Sequence, residues 1–234
     1  MSWILDNLDL IGELTLVHLR QSALAIVLGF VISLPLGWVA WRYRLLRGWI
    51  ITVTGLLYTI PSLALLMILP TIFGYSALSE TNLIVALTIY AIAIMVRAVA
   101  DGLDSVDDAV RRSATAMGFG SRRRFWTVDL PLAGPVVLAG LRVTAVSTIS
   151  LATVGILVGV TNLGYLFTNG FDRRILAEVF AGIIAVVALA LIIDGLLVLA
   201  GRALMPWTRR TSTARSAPAR GGESIASAEA GAAA

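Results

Sequence analysis

The chain contains no cysteine and no lysine, and it has one histidine. Without cysteine there is no disulfide framework and no thiolate metal site. All 18 basic residues are arginine. A Walker A loop ends in Gly-Lys-Ser or Gly-Lys-Thr, so this chain carries no such cradle for nucleotide phosphates. The lone His18 excludes a His-x-x-x-His zinc site, and no metal is expected. Charge of either sign is scarce: 14% of residues are charged, against roughly 25% in a soluble domain. The formal net charge of +4 does not indicate a nucleic-acid partner, because arginines in so apolar a chain report membrane topology first.

What is present is apolar surface. Hydrophobic residues make up 58% of the chain, and residues 48–79 run for 32 positions without a charge. Stretches of that kind read as membrane-spanning helices, each needing about 20 residues to cross the hydrocarbon core. Five spans are expected, over about 22–41, 49–73, 82–100, 138–160 and 177–199. Arginines sort the loops. Thirteen lie after the first, third and fifth spans, among them Arg42, Arg44, Arg47, Arg111, Arg112 and Arg122 to Arg124. The positive-inside rule places those regions in the cytoplasm, with the N-terminus out and the C-terminus in. Arg20, Arg173 and Arg174 run against this bias.

The start, MSWILDNLDLIGELTL, carries Asp6, Asp9 and Glu13 where a cleavable signal would be positive. Residues 1–21 are therefore expected to form an external amphipathic segment, ahead of a membrane domain over 22–207. Residues 208–234 are small, polar and rich in Ala, Gly and Ser, and are expected to be a disordered cytoplasmic tail. No internal repeat suggests a two-fold transporter within one chain.

The most unusual stretch interrupts the apolar sequence between the third and fourth spans. This insert, about 101–131, places Leu103, Val106, Val110, Ala114 and Met117 at helical spacing, with Asp107–Arg111 and Asp108–Arg112 as i,i+4 pairs. Gly118 and Gly120 can end that helix, and Ser121 can cap a second short one over Arg122 to Trp126. Pro131 ends the insert. Two short helices joined by a glycine hinge suit either an interfacial anchor or a knob that docks into a partner.

The insert resembles the EAA loop of ABC-importer permeases. That pattern is Glu-Ala-Ala, three residues, Gly, nine residues, an aliphatic, one residue and Leu-Pro. Here it reads Arg112-Ser113-Ala114, Gly118, Val128, Leu130-Pro131. Arg112 stands where the family usually has Glu, and Ser113 where it has Ala. The runs YTIPSLALLMILPTIFG, LPLAGPVVLAGLR and ATVGILVGVTNLGYLFTNG resemble the osmoprotectant subfamily, which carries glycine betaine, carnitine and choline. The resemblance covers about residues 14–202. It implies an all-α, type I importer permease fold in a bacterial inner membrane, without catalysis of its own. ATP and magnesium would sit on a partner ATPase dimer gripping Arg112, Ser113, Ala114, Gly118, Phe119, Gly120, Ser121, Arg122, Leu130 and Pro131. A binding protein outside would deliver the solute, and a second permease, identical or paralogous, would complete the path.

Within the membrane, Pro61 and Pro70 interrupt the second span. Tyr58, Thr59, Pro61 and Ser62 are candidates for the solute path, with Tyr58 offering a cation–π face to a quaternary ammonium. The alternative is a packing kink with hydroxyls bonded to their own helix. Ser147, Thr148, Ser150 and Thr153 form a hydroxyl band suited to lining or to helix packing. Arg142 and Asp194 are expected to pair, as intramembrane charges do. Rival classes are a permease for another small solute such as an amino acid, a channel or secondary transporter needing no ATPase, and a protease using Ser76 and His18. No triad geometry supports the last.

Overall fold

The computed structural model describes residues 2–209. Among the described residues the regular structure is entirely helical. A short α1 (Ser2–Asp6) leads into α2 (Leu8–Arg42), followed by α3 (Arg44–Thr59), α4 (Ser62–Phe73) and α5 (Glu80–Asp104). The insert holds α6 (Asp108–Ala116) and α7 (Ser121–Arg124). Then come α8 (Leu130–Ala152), α9 (Gly164–Asp172) and α10 (Leu176–Leu204).

Four helical runs are long and apolar enough to cross a membrane: Leu8–Arg42, Glu80–Asp104, Ser121–Val158 and Leu176–Leu204. The stretch expected as the second span is not one straight helix: α3 and α4 meet at 107°. The chain passes through Ile60 and Pro61 in extended conformation, and Pro61 has no N–H to continue α3. The expected external segment over 1–21 supplies the first turns of α2, where Leu14, His18 and Gln21 are buried. The tail expected over 208–234 lies outside the described residues except for its first two, which close the 3-10 turn Pro206–Arg209.

Helix α5 is the central post, and its apolar residues are buried on most sides. It begins at Ser79, whose hydroxyl accepts from the Asn82 N–H at 3.2 Å. Against it lies α2, through a stripe of small residues at Gly29, Ser33 and Gly37. A Cβ at Gly29 would stand 2.4 Å from the Ala91 Cβ, so only glycine permits this approach. In a bilayer, such contact is what drives helix association, because lipid tails are as apolar as leucine. On the other flank, α8 packs against α5 through Met95, Val99, Ala133 and Val137.

Four expectations for the insert change. The single amphipathic helix is two, because the chain breaks over 105–107 before Asp107 caps α6 through the Ala109 N–H at 2.7 Å. Leu103, Val106 and Ala114 are buried as the spacing implies, but Val110 and Met117 are exposed. The pairs Asp107–Arg111 and Asp108–Arg112 do not form: Asp107 is spent as the cap, and Arg111 turns back to Asp108 at 2.9 Å. Nor is there a separate second helix capped by Ser121. Gly120 occupies the N-cap, and Ser121 opens a run through a π turn (Phe125–Asp129) into α8, so Pro131 lies in the first turn of that helix. Pro131 thus sits inside a continuous helical run, directly after the π turn, where it has no N–H to add to the ladder. The stretch 164–174, expected as a loop, mostly folds as α9, with Leu163 and Leu166 fully buried beneath it.

Candidate functional site

The insert is shaped by one turn and one buried carboxylate. Helix α6 ends in a Schellman turn: the Phe119 N–H donates to the Ala114 carbonyl at 3.1 Å, and the Gly118 N–H to Thr115 at 3.0 Å. Gly118 sits at φ +84°, which a side chain would strain. Asp129, 1% exposed, accepts from Arg124 Nε at 3.2 Å and lies 3.4 Å from Arg111 Nε. Arg111 also donates to the Leu103 carbonyl and stacks on the Trp41 ring at 4.9 Å. Arg124 reaches Thr115 Oγ1 at 3.0 Å. Two guanidinium groups thus share one dry carboxylate, and together they fasten α6 and α7 to the base of α8.

Sequence reasoning overlooked Asp129. Its signal was a single acid in FWTVDLP, flanked by aromatic and apolar residues and five positions after an arginine. An unpaired charge is rarely tolerated in such surroundings.

What the fastening leaves exposed is the tip. Arg112, Ser113, Gly118, Gly120, Ser121, Arg122 and Met117 face outward, and the half-buried Phe119 lies under Arg123 at 4.8 Å. Ala114, Leu130 and Pro131 are turned into the fold or partly covered, so they shape the tip rather than form its surface. Between the tip and the ends of α2 and α3 opens a cleft of about 1960 Å³.

The path candidates differ in exposure. Tyr58, Thr59 and Pro61 are exposed at the α3–α4 corner, and Ser62 is half-buried. Tyr58 meets Tyr90 edge-on with centroids 5.9 Å apart, and the Tyr90 hydroxyl donates to the Ile60 carbonyl freed by the bend at 2.6 Å. Thr59 bonds back to Leu56 at 2.7 Å. On α8, Ser150 is exposed and Ser147 half-buried, whereas Thr148 is 2% exposed and belongs to helix packing. Thr153 bonds back to the Ser150 carbonyl at 2.7 Å. Arg142 and Asp194 meet in a two-pronged pair, Nε to Oδ1 at 2.6 Å and Nη2 to Oδ2 at 2.7 Å, joining α8 to α10.

The opposite end of the bundle is held by amides. Asn162 Nδ2 donates to the Ala152 carbonyl at 2.8 Å and to Gln21 Oε1 at 3.1 Å, while Asn162 Oδ1 accepts from the Gly164 N–H at 2.8 Å. His18 Nε2 lies 2.9 Å from the Ile149 carbonyl. Ser76 lies in the loop before α5, and no hydrogen bond joins it to His18 among the described residues. The protease reading therefore has no geometry behind it. Among the described residues no cluster of His, Asp and Glu is arranged to hold a metal.

Residues 25–206 match the family described as "Binding-protein-dependent transport system inner membrane component". The glycine betaine/carnitine/choline transport system permease protein OpuCD of Bacillus subtilis (strain 168) is 33% identical, over 81% of this chain and 82% of the relative. The osmoprotectant import permease protein OsmW of Salmonella typhimurium is 29% identical, over 83% and 92%. The carnitine transport permease protein OpuCD of Listeria monocytogenes is 31% identical, over 81% and 84%. In fold, a chain of the MetNI methionine ABC transporter in an inward facing conformation superposes with a TM-score of 0.74, at 22% identity, over 84% of this chain and 97% of that one. The chain thus belongs to the inner-membrane components of binding-protein-dependent transport systems, as a multi-pass, non-catalytic permease subunit of the osmoprotectant group of ABC importers.

Proposed function

We propose that this subunit forms half of the membrane path of an ATP-driven importer for compatible solutes of the quaternary-amine type, and that the tip at 112–122 is its contact with the ATPase. The carrying observation is the division of labour in the insert. Arg111, Arg124 and Asp129 are consumed in fastening, while Arg112, Met117 and Arg122 are left exposed at the tip. A rigid knob that presents unspent charge and an exposed thioether suits a groove on another protein. Arg112, where the family has Glu, calls for an acidic position in that groove.

In this reading the arginine-rich end is cytoplasmic and the N-terminus external. The ATP-binding dimer carries the nucleotide and magnesium, an external binding protein delivers the solute, and a second permease, identical or paralogous, completes the path. The relatives' names point to glycine betaine, carnitine and choline. Tyr58, half-exposed and braced edge-on by Tyr90, offers a ring face to such a cation at the α3–α4 corner. A contact of that kind is worth about 0.5–2 kcal/mol, weak enough to let the solute leave. Thr59, Pro61, Ser62, Ser147 and Ser150 are the other candidates for lining.

The test uses two changes at the tip. Met117 is 71% exposed, so Met117→Asp leaves the fold intact, whereas Gly118→Pro removes the positive φ of the turn. Both variants should reach the membrane in normal amount and lose ATP-driven uptake of glycine betaine in the assembled transporter. Wild-type uptake by Met117→Asp and Gly118→Pro would remove the docking role.

A further inference from the structure

The cleft between the insert and the span ends is left unassigned by the transport reading. Six arginines and four aspartates line it, together with Trp38, Trp41 and Trp126. The aspartates are all occupied. Asp104 is bound by Arg47, Asp108 by Arg111, and Asp129 by Arg111 and Arg124, while Asp107 caps α6. Three of the arginines are consumed in those pairs. Arg42, Arg44 and Arg122 have no carboxylate partner among the described residues, and all three are exposed. Arg42 only leans over the Tyr43 ring at 5.8 Å. The cleft therefore carries a surplus of uncompensated positive charge, beside an apolar wall where Trp38 meets Phe125 edge-on at 6.2 Å.

Its level in the fold matters as much as its charge. Arg42 is the last residue of one membrane-length helix, and Arg44 the first of the next apolar one. Indoles beside guanidinium groups at the ends of spans are the side chains suited to the headgroup layer. A cleft with an apolar wall and a cationic rim at that level fits a molecule with an acyl tail and an anionic head.

The geometry points to a binding site for one anionic phospholipid, its phosphodiester held by Arg42, Arg44 and Arg122 and its upper acyl chain against Trp38 and Phe125. This site borders the exposed tip, with which it shares Arg122, and does not depend on which solute is carried. A soluble phosphate shares the head chemistry but gains nothing from the apolar wall, so the lipid is the occupant.

The experiment reconstitutes the full chain into phosphatidylcholine vesicles and follows tryptophan fluorescence. Brominated phosphatidylglycerol is compared with brominated phosphatidylcholine at equal, low mole fraction. The wild type should be quenched preferentially by the anionic lipid. Each arginine near an anionic headgroup is worth about fivefold in affinity, so R42Q/R44Q should lose roughly tenfold or more of the preference. R173Q/R174Q, which removes two arginines elsewhere, should keep it. Melting in detergent confirms that each variant is folded. Equal quenching by the two lipids overturns the proposal, as does a preference that survives in R42Q/R44Q or disappears equally in R173Q/R174Q. A preference abolished by soluble glycerol phosphate would make the cleft a free-anion site. Retained preference in R42Q/R44Q with lost binding of the ATPase subunit would make it a protein dock. Either outcome refutes the lipid.

Discussion

The two ends of the bundle are held by different forces. At the insert end, a carboxylate that is 1% exposed is shared by two guanidinium groups, and the fastening is ionic. At the other end, Asn162 and Gln21 join turns through neutral amides and carbonyls, with His18 buried beside them. The two guanidinium groups keep an edge to water, 13% and 22% exposed, and there another charged surface can reach them. Amide bonds in a dry interior have no competitor and fix the backbone. The difference teaches where the molecule accepts outside influence and where it keeps its shape.

The contrast can be broken first at Asp129. Removing the acid from a buried ion pair leaves uncompensated charge, at a cost of about 3 kcal/mol or more. Asp129→Ala should therefore lower the melting temperature of the purified chain sharply and expose the 111–124 region to trypsin. An unchanged melt with the same trypsin pattern would show that the insert is fastened by something else. At the opposite end, Asn162→Ala strands the Gly164 N–H and the Ala152 carbonyl, a loss of about 2 kcal/mol. That loss should be the same at low and high salt, since no ion is involved. A salt-dependent loss would contradict the neutral character assigned to this end. The smallest effect belongs to Arg20 and Glu80, whose side chains pair at 2.6 Å while 61% and 36% exposed. Arg20→Gln should cost under about 1 kcal/mol and nothing measurable in high salt.

Hydropathy located the four membrane-length helices, because the absence of charge is itself the signal, but it read the bent pair α3–α4 as one straight span. The meeting of Arg142 and Asp194 was legible for a related reason: two charges surrounded by apolar sequence have few other partners. The role of Asp129 was not legible, since its partners come from 18 and 5 residues away and from opposite arms of a turn. Local i,i+4 spacing proposed partners for Arg111 and Arg112, but capping by Asp107 and the buried Asp129 outcompeted it. Pro61 announced a break but not its size. A bend of 107° depends on the Tyr90 hydroxyl taking up the freed carbonyl, a contact across 30 residues. Helix α9 was missed because GYLFTNGFD is short and glycine-flanked, and only burial of Leu163 and Leu166 makes it worth forming.

The tether from Tyr90 to Ile60 also governs how force travels. A straight rod crossing the bilayer would pass a push from one rim to the other along its axis. The bent pair cannot, because its two limbs meet nearly at right angles. The Arg44 limb is tied to the central post twice, through Arg47 to Asp101 and Asp104 near its start and through the Tyr90 hydroxyl and ring at the corner. Tilting the post swings the aromatic ring of Tyr58 with it.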